Sequence, residues 1–210
     1  MLLVVAALVL INTHSKTELH LTINNRVGIY FFDRFFYYIT YLGDGLVAVF
    51  LLAAIFIFNV RLGVVSLLSF LLASLTSITL KELFFDDENR PFFVFTYYEH
   101  LKLKLVDGLQ PFIHNSFPSG HATQAFAIFS VLMFYSQKNF VKFLFLFLAL
   151  LTAFSRVYLS QHWLSDITAG SCIGMFYGIL FHFLIIEKNK IKILNRNIFQ
   201  LSQLLVRTKK

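Results

Sequence analysis

Cysteine is almost missing from this chain of 210 residues, and the one present, Cys172, lies inside an apolar run. No internal disulfide can form, and cysteine usage carries no information on redox compartment. Charge is scarce as well: 14% of residues are Asp, Glu, Lys or Arg, against 58% hydrophobic residues and a mean hydropathy of +0.72. A soluble domain of this length cannot hide so much apolar surface in one core, which leaves a membrane protein. Proline occurs three times, at Pro91, Pro111 and Pro118, all in one polar connection that also holds the acidic run Asp86, Asp87 and Glu88. Irregular backbone is tolerated there because it lies outside hydrocarbon. The chain has no internal repeat and no low-complexity linker, so it reads as a single bundle.

What is present in quantity is apolar sequence. Runs extend over Leu46–Val60, Leu62–Leu80, Ala122–Tyr135, Phe143–Phe154 and Ile167–Ile186. Crossing about 30 Å of hydrocarbon takes about 20 residues, so the third and fourth of these need their flanks to reach across. Met1–Ile11 has neither a cationic segment before it nor a small-residue cleavage site after it, and reads as a first helix abbreviated at its start. The expectation is an all-α polytopic membrane helical bundle of about six transmembrane helices, with one domain over residues 1–187 and a basic tail over 188–210.

The formal net charge of +7 would point to nucleic acid in a soluble protein, but here the cations follow topology, and no nucleic-acid partner is expected. Arg61, then Lys138 and Lys142, then the tail residues Lys188, Lys190, Lys192, Arg196, Arg207, Lys209 and Lys210 all fall on one side of a six-span arrangement. That side is expected to be cytoplasmic. The spacing of Ile191, Ile193, Leu194, Ile198, Leu201 and Leu205 also fits a basic helix on anionic headgroups, alongside the plainer reading of a solvated end.

Punctuation within the runs is informative. Gly43-Asp44-Gly45 reads as a helix entry with Asp44 as its cap, and Gly170, Gly174 and Gly178 recur on one helix face, as close helix packing requires. Ionisable residues gather at span ends: Lys81, then Ser119 to His121, then Ser155-Arg156, then His162 with Asp166. With antiparallel neighbours these four ends meet on one side, the one away from the cytoplasm. Each ionisable group near hydrocarbon costs about 2.5–3.5 kcal/mol on insertion scales, so a cluster of them implies a site compensated by a ligand.

Three segments carry the cluster: Lys81, followed after eight residues by Arg90-Pro91; Pro118-Ser119-Gly120-His121; and Ser155-Arg156, five residues, His162, three residues, Asp166. In these segments the chain resembles the type 2 phosphatidic acid phosphatase (PAP2) family, whose pocket is shared with the vanadium haloperoxidases. The resemblance runs from about Ile39 to Ile186. It departs from the family pattern in its first segment, where the family commonly has six residues between lysine and Arg-Pro.

The resemblance implies a PAP2/haloperoxidase-like core and a lipid phosphatase in which His162 attacks phosphorus to give a phosphohistidine. Asp166, one helical turn later, would hold the proton of the other ring nitrogen. His121 would protonate the departing oxygen and then activate water. Arg90 and Arg156 suit the spreading charge of the phosphoryl oxygens, because a planar guanidinium holds two oxygens at once; Lys81 adds a point charge. Ser119 would donate its hydroxyl, and Gly120 would offer a backbone N–H at a helix start that already favours anions.

No metal is expected. Metal phosphatase sites need three or more His or carboxylate ligands, and Asp86 to Glu88 has no histidine spaced around it. No other cofactor is expected either. The implied partners are the lipid bilayer and a phosphorylated membrane lipid: undecaprenyl diphosphate, phosphatidylglycerol phosphate, phosphatidic acid or a phosphate of lipid A. An outward-facing site favours the carrier lipid or lipid A, in a bacterial inner membrane with the active site facing the periplasm. A lipid-to-lipid phosphotransferase using the same histidine is the alternative, and a transporter is disfavoured because the span interiors lack ionisable groups. His14, His20, His100, His114 and His182 match no motif, and Trp163 reads as an interface anchor.

Overall fold

The computed structural model describes residues 2–187, and all its regular elements are helical. Two short N-terminal helices, α1 (Leu2–Thr13) and α2 (Lys16–Asn24), come first. The Ser15 hydroxyl starts α2 by accepting the Glu18 N–H at 3.2 Å. Helix α3 (Tyr30–Ile39) buries Phe36 and leaves Tyr30, Phe31 and Tyr38 exposed. A 3-10 turn, Thr40–Gly43, then leads to Asp44, whose carboxylate accepts the Leu46 N–H at 2.8 Å and caps α4 (Gly45–Phe58), as its sequence context predicts. The chain bends by 60° between Tyr30–Gly43 and Gly45–Phe58.

One residue, Asn59, both ends α4 and caps α5 (Val60–Leu83). Short α6 (Pro91–Tyr97) begins with its proline at the first helical position, where a missing N–H costs nothing. Then follow α7 (Gly120–Tyr135), α8 (Asn139–Tyr158) and α9 (Leu164–Phe181), the last continued by a π-helical turn, His182–Glu187.

All six apolar runs form helices. Among the described residues, Val60–Leu83, Asn139–Tyr158 and Leu164–Ile186 are each long and apolar enough to cross a membrane, and the bent pair around Gly43 passes the same test only when its two helices are counted together. Helix α7 has 16 residues, about 24 Å of rise, and α1 has 12. Helix α7 packs against α5, α8 and α9 at the centre of the bundle and buries nearly every residue from Ala122 to Val131. The lipid-facing surface lies on the other helices, with Phe50, Leu75, Phe143, Phe147 and Phe176 exposed, as befits an integral membrane protein. Residues 188–210, with both readings of the basic tail, lie outside the described residues.

Contact between α7 and α9 depends on the glycine face of α9. A Cβ on Gly170 would sit 2.5 Å from the Ser119 carbonyl, one on Gly174 would fall on the Thr123 carbonyl, and one on Gly178 on the Ser130 hydroxyl. Ala122, Ala125, Phe126, Phe129, Ala149, Ala153, Val157 and Ile167 fill the space among α7, α8 and α9. At the far end of the bundle, Asn59 donates to the Tyr135 hydroxyl at 3.1 Å, and Arg61 donates to the carbonyls of Ile185 and Ile186. The start of α4, the end of α5, the start of α7, the end of α8 and the start of α9 therefore share the opposite end.

Gly174→Ala is expected to destabilise the folded protein by about 1–3 kcal/mol through overpacking. Gly45→Ala, whose Cβ would meet nothing within 4 Å, serves as control. Thermal melting in detergent checks this; equal melting of the two variants would contradict the packing assigned to Gly174.

Candidate active site

His162 lies in the short connection from α8 to α9. The carbonyl of Arg156 accepts the N–H groups of both Gln161 (2.9 Å) and His162 (3.1 Å), which folds the connection back under α8 and leaves His162 2% exposed. Its Nδ1 lies 3.3 Å from Oδ2 of Asp166, one turn into α9. The same Oδ2 accepts the Ser116 hydroxyl at 2.6 Å and the Trp163 N–H at 2.9 Å, while Oδ1 accepts the Ser165 hydroxyl at 3.1 Å. A carboxylate facing Nδ1 assigns the proton to that nitrogen and leaves Nε2 with its lone pair.

Nε2 stands 3.4 Å from a terminal nitrogen of Arg90. The Arg90 fork is itself fixed by three carbonyls, donating to His114 at 2.8 Å, Gln161 at 2.9 Å and Asn115 at 3.2 Å. Burial lowers the Arg90 pKa to about 10, partly offset by the Asp166 charge, so the group remains cationic at neutral pH. Burial also holds the His162 imidazole well below its ordinary range, helped by the charges of Arg90, Arg156 and Lys81. His162 is therefore neutral at pH 7, the form in which a ring nitrogen can act as a nucleophile.

The other residues expected from sequence converge on the same end. Arg156 is buried; one terminal nitrogen donates to the Thr40 hydroxyl at 2.9 Å, and its Nε has no partner. Ser119 is fully buried with its hydroxyl unpartnered, and its N–H donates to the Asp166 carbonyl at 3.1 Å. No atom lies within 4 Å of where a Gly120 side chain would begin, so the start of α7 opens onto free space. His121 is half-buried, with its backbone against Gly43.

Lys81, half-buried in the last turn of α5, interacts electrostatically with Arg90, Arg156 and Asp166. Its longer spacing to Arg90 is taken up by a turn at residues 84–87, where Phe85 packs on Phe117 at 4.7 Å between ring centroids. Among the described residues, no group of three or more His, Cys, Asp or Glu side chains is arranged to hold a metal ion.

Comparisons with known proteins place the chain in a family. A sequence profile described as the PAP2 superfamily matches residues 62–190. The chain belongs to the PAP2 superfamily. It is a membrane phosphatase of the PAP2 type, and its fold matches the crystal structure of Aquifex aeolicus LpxE with a TM-score of 0.66 at 30% identity, over 78% of this chain and 92% of that one. A transmembrane PAP2-type phosphatidylglycerolphosphate phosphatase from Bacillus subtilis shares the fold with a TM-score of 0.67 at 20% identity, over 90% and 96% of the two chains. A stretch of 70 residues is 37% identical to lipid A 4'-phosphatase of Bacteroides thetaiotaomicron; it makes up 32% of this chain and 30% of that relative.

Around this PAP2 core stand residues that motif spacing does not single out. Ser116, two residues before Pro118, holds Asp166. Trp163 is not the interface anchor expected from sequence. It is 1% exposed, donates to the Asn89 carbonyl at 2.8 Å, and packs edge-on against His20 at 5.4 Å. His20, on α2, lies 3.1 Å from the Ser160 hydroxyl, in the connection that carries His162.

Burial lowers the His20 pKa from 6.5 to about 4, against an opposing pull from Asp166. Below pH 6.5 the unfolded chain takes up a proton that the folded protein refuses, so stability is lost as pH falls toward 4. Over that window His20→Gln is expected to remove a loss on the order of 3 kcal/mol. Melting temperatures of both proteins across the window check this, and parallel curves would contradict it.

Proposed function

We propose that the protein removes phosphate from a membrane lipid through a phosphohistidine at His162. The observation that carries this reading is the state of one imidazole: buried, with Nδ1 3.3 Å from the Asp166 carboxylate and Nε2 3.4 Å from the Arg90 guanidinium. Nε2 attacks phosphorus as the bond to the lipid oxygen breaks. Asp166 keeps the proton on Nδ1 and stabilises the cation that forms. Arg90, Arg156 and Lys81, with the Ser119 hydroxyl and the Gly120 N–H, hold the three phosphoryl oxygens, where fixed donors lower the barrier most. His121 gives its proton to the departing oxygen, then takes one from the water that attacks the phosphohistidine, releasing orthophosphate and restoring His162.

A phosphate of lipid A leads among the substrates, supported by the stretch shared with lipid A 4'-phosphatase. Undecaprenyl diphosphate, phosphatidylglycerol phosphate and phosphatidic acid are the competing arms. Arg61, Lys138 and Lys142, at the end of the bundle opposite the site, support an active site on the outer, periplasmic face of a bacterial inner membrane.

Purified protein is assayed for orthophosphate release from these four lipids, with and without chelator. Release is expected fastest from lipid A, unchanged by chelation, and lost in His162→Ala. Turnover retained by His162→Ala would defeat the nucleophile assignment. Rescue of a chelated enzyme by magnesium or zinc would defeat metal independence, and transfer to an acceptor lipid without free phosphate would make the protein a phosphotransferase.

A further inference from the structure

The turn Thr40–Gly43 lies outside residues 62–190, the segment shared with the PAP2 profile, yet it meets the site at two points. Thr40 is 6% exposed and accepts the hydrogen bond from Arg156 at 2.9 Å, across 116 residues of chain. Gly43 lies so close to the start of α7 that a Cβ there would stand 2.7 Å from the His121 carbonyl and 2.9 Å from the His121 Cβ.

The turn is itself held firmly. Phe36, one helical turn before Thr40, packs at a tilt on Tyr158 with 4.5 Å between ring centroids, and Asp44 caps α4 just beyond Gly43. Thr40 is thus a fixed acceptor facing a long, otherwise rotatable side chain. A guanidinium is rigid and planar, so holding one terminal nitrogen sets the direction of the others. Nε of Arg156, buried and unpartnered, is one of the donors so directed.

We propose that Thr40 is a positioning residue: its hydroxyl sets the plane of the Arg156 guanidinium so that the remaining donors meet the phosphoryl oxygens of the substrate. This rests on the assignment of Arg156 to phosphate binding. The role needs an oxygen acceptor at position 40, whereas a packing role needs only the shape of the side chain. Valine keeps the shape and removes the acceptor; serine keeps the acceptor and removes a methyl group.

The full-length protein in detergent is tested for binding of inorganic orthophosphate by calorimetry, and for phosphate release from the lipid turned over fastest. Thr40→Val is expected to weaken orthophosphate binding and lower kcat by about tenfold each, with Thr40→Ser within about twofold of wild type, the scale of losing one hydrogen bond to a charged group. In an Arg156→Lys background, Thr40→Val is expected to add nothing further, because both changes act on one contact. If Thr40→Val does not fold, Thr40→Ala takes its place.

Wild-type behaviour of Thr40→Val overturns the proposal. So does equal damage from Thr40→Ser, or full additivity with Arg156→Lys. An impaired Arg156→Lys and a dead His162→Ala beside a normal Thr40→Val would remove this inference alone. An Arg156→Lys protein of normal affinity and turnover would remove the phosphate-binding assignment and the proposal with it.

Discussion

The buried carboxylate of Asp166 is the constraint on which the rest of the site depends. A carboxylate so placed is costly unless it is met by donors, and here the donors come from two separate parts of the chain. Ser116 supplies one from the loop before α7, Trp163 and Ser165 supply two from the start of α9, and His162 supplies the fourth. The Asp166 carbonyl meanwhile accepts the Ser119 N–H, so a single residue ties the mouth of α7 to the mouth of α9. Its position in the first turn of α9 adds the favourable end of the helix dipole. Loss of a donor leaves the buried carboxylate less well satisfied and its hold on the histidine weaker.

The glycine face of α9 makes that tie possible. Without Gly170 the Ser119 carbonyl could not lie where it does, and the N-terminus of α7 would stand off from His162. Packing and chemistry are therefore one requirement at this end of the bundle. The cations are disposed by the same logic: Arg90 is fixed by backbone carbonyls and Arg156 by a hydroxyl, while Lys81 stands in the last turn of α5. None is neutralised by a carboxylate contact of its own. Several positive groups gathered in a buried, low-dielectric setting repel one another and are relieved by an anion of concentrated charge, which is the electrostatic argument for the proposed phosphate binding.

Much of this was legible in the sequence. The apolar runs gave the helices, Asp44 its cap and the glycine triplet its packing face, because each depends on local composition or on spacing along one helix. His162, Asp166, Arg156, Arg90, Ser119, Gly120, His121 and Lys81 were legible through motif spacing, and the structure brings them to one end. What escaped depends on contacts between distant segments. Thr40 meets Arg156 across 116 residues, and His20 meets Ser160 across 140; no periodicity records either. Trp163 reads as an interfacial residue by type, yet it is a buried brace.

The most direct test of the account follows the phosphorus atom itself. Enzyme mixed with lipid carrying a radiolabelled phosphate is quenched within a turnover, and the site of the label is mapped by peptide sequencing. The account predicts an acid-labile, alkali-stable label on His162, absent from His162→Ala and longer-lived in His121→Ala. Label on any other residue, or hydrolysis by a wild-type enzyme that never becomes labelled, would contradict it.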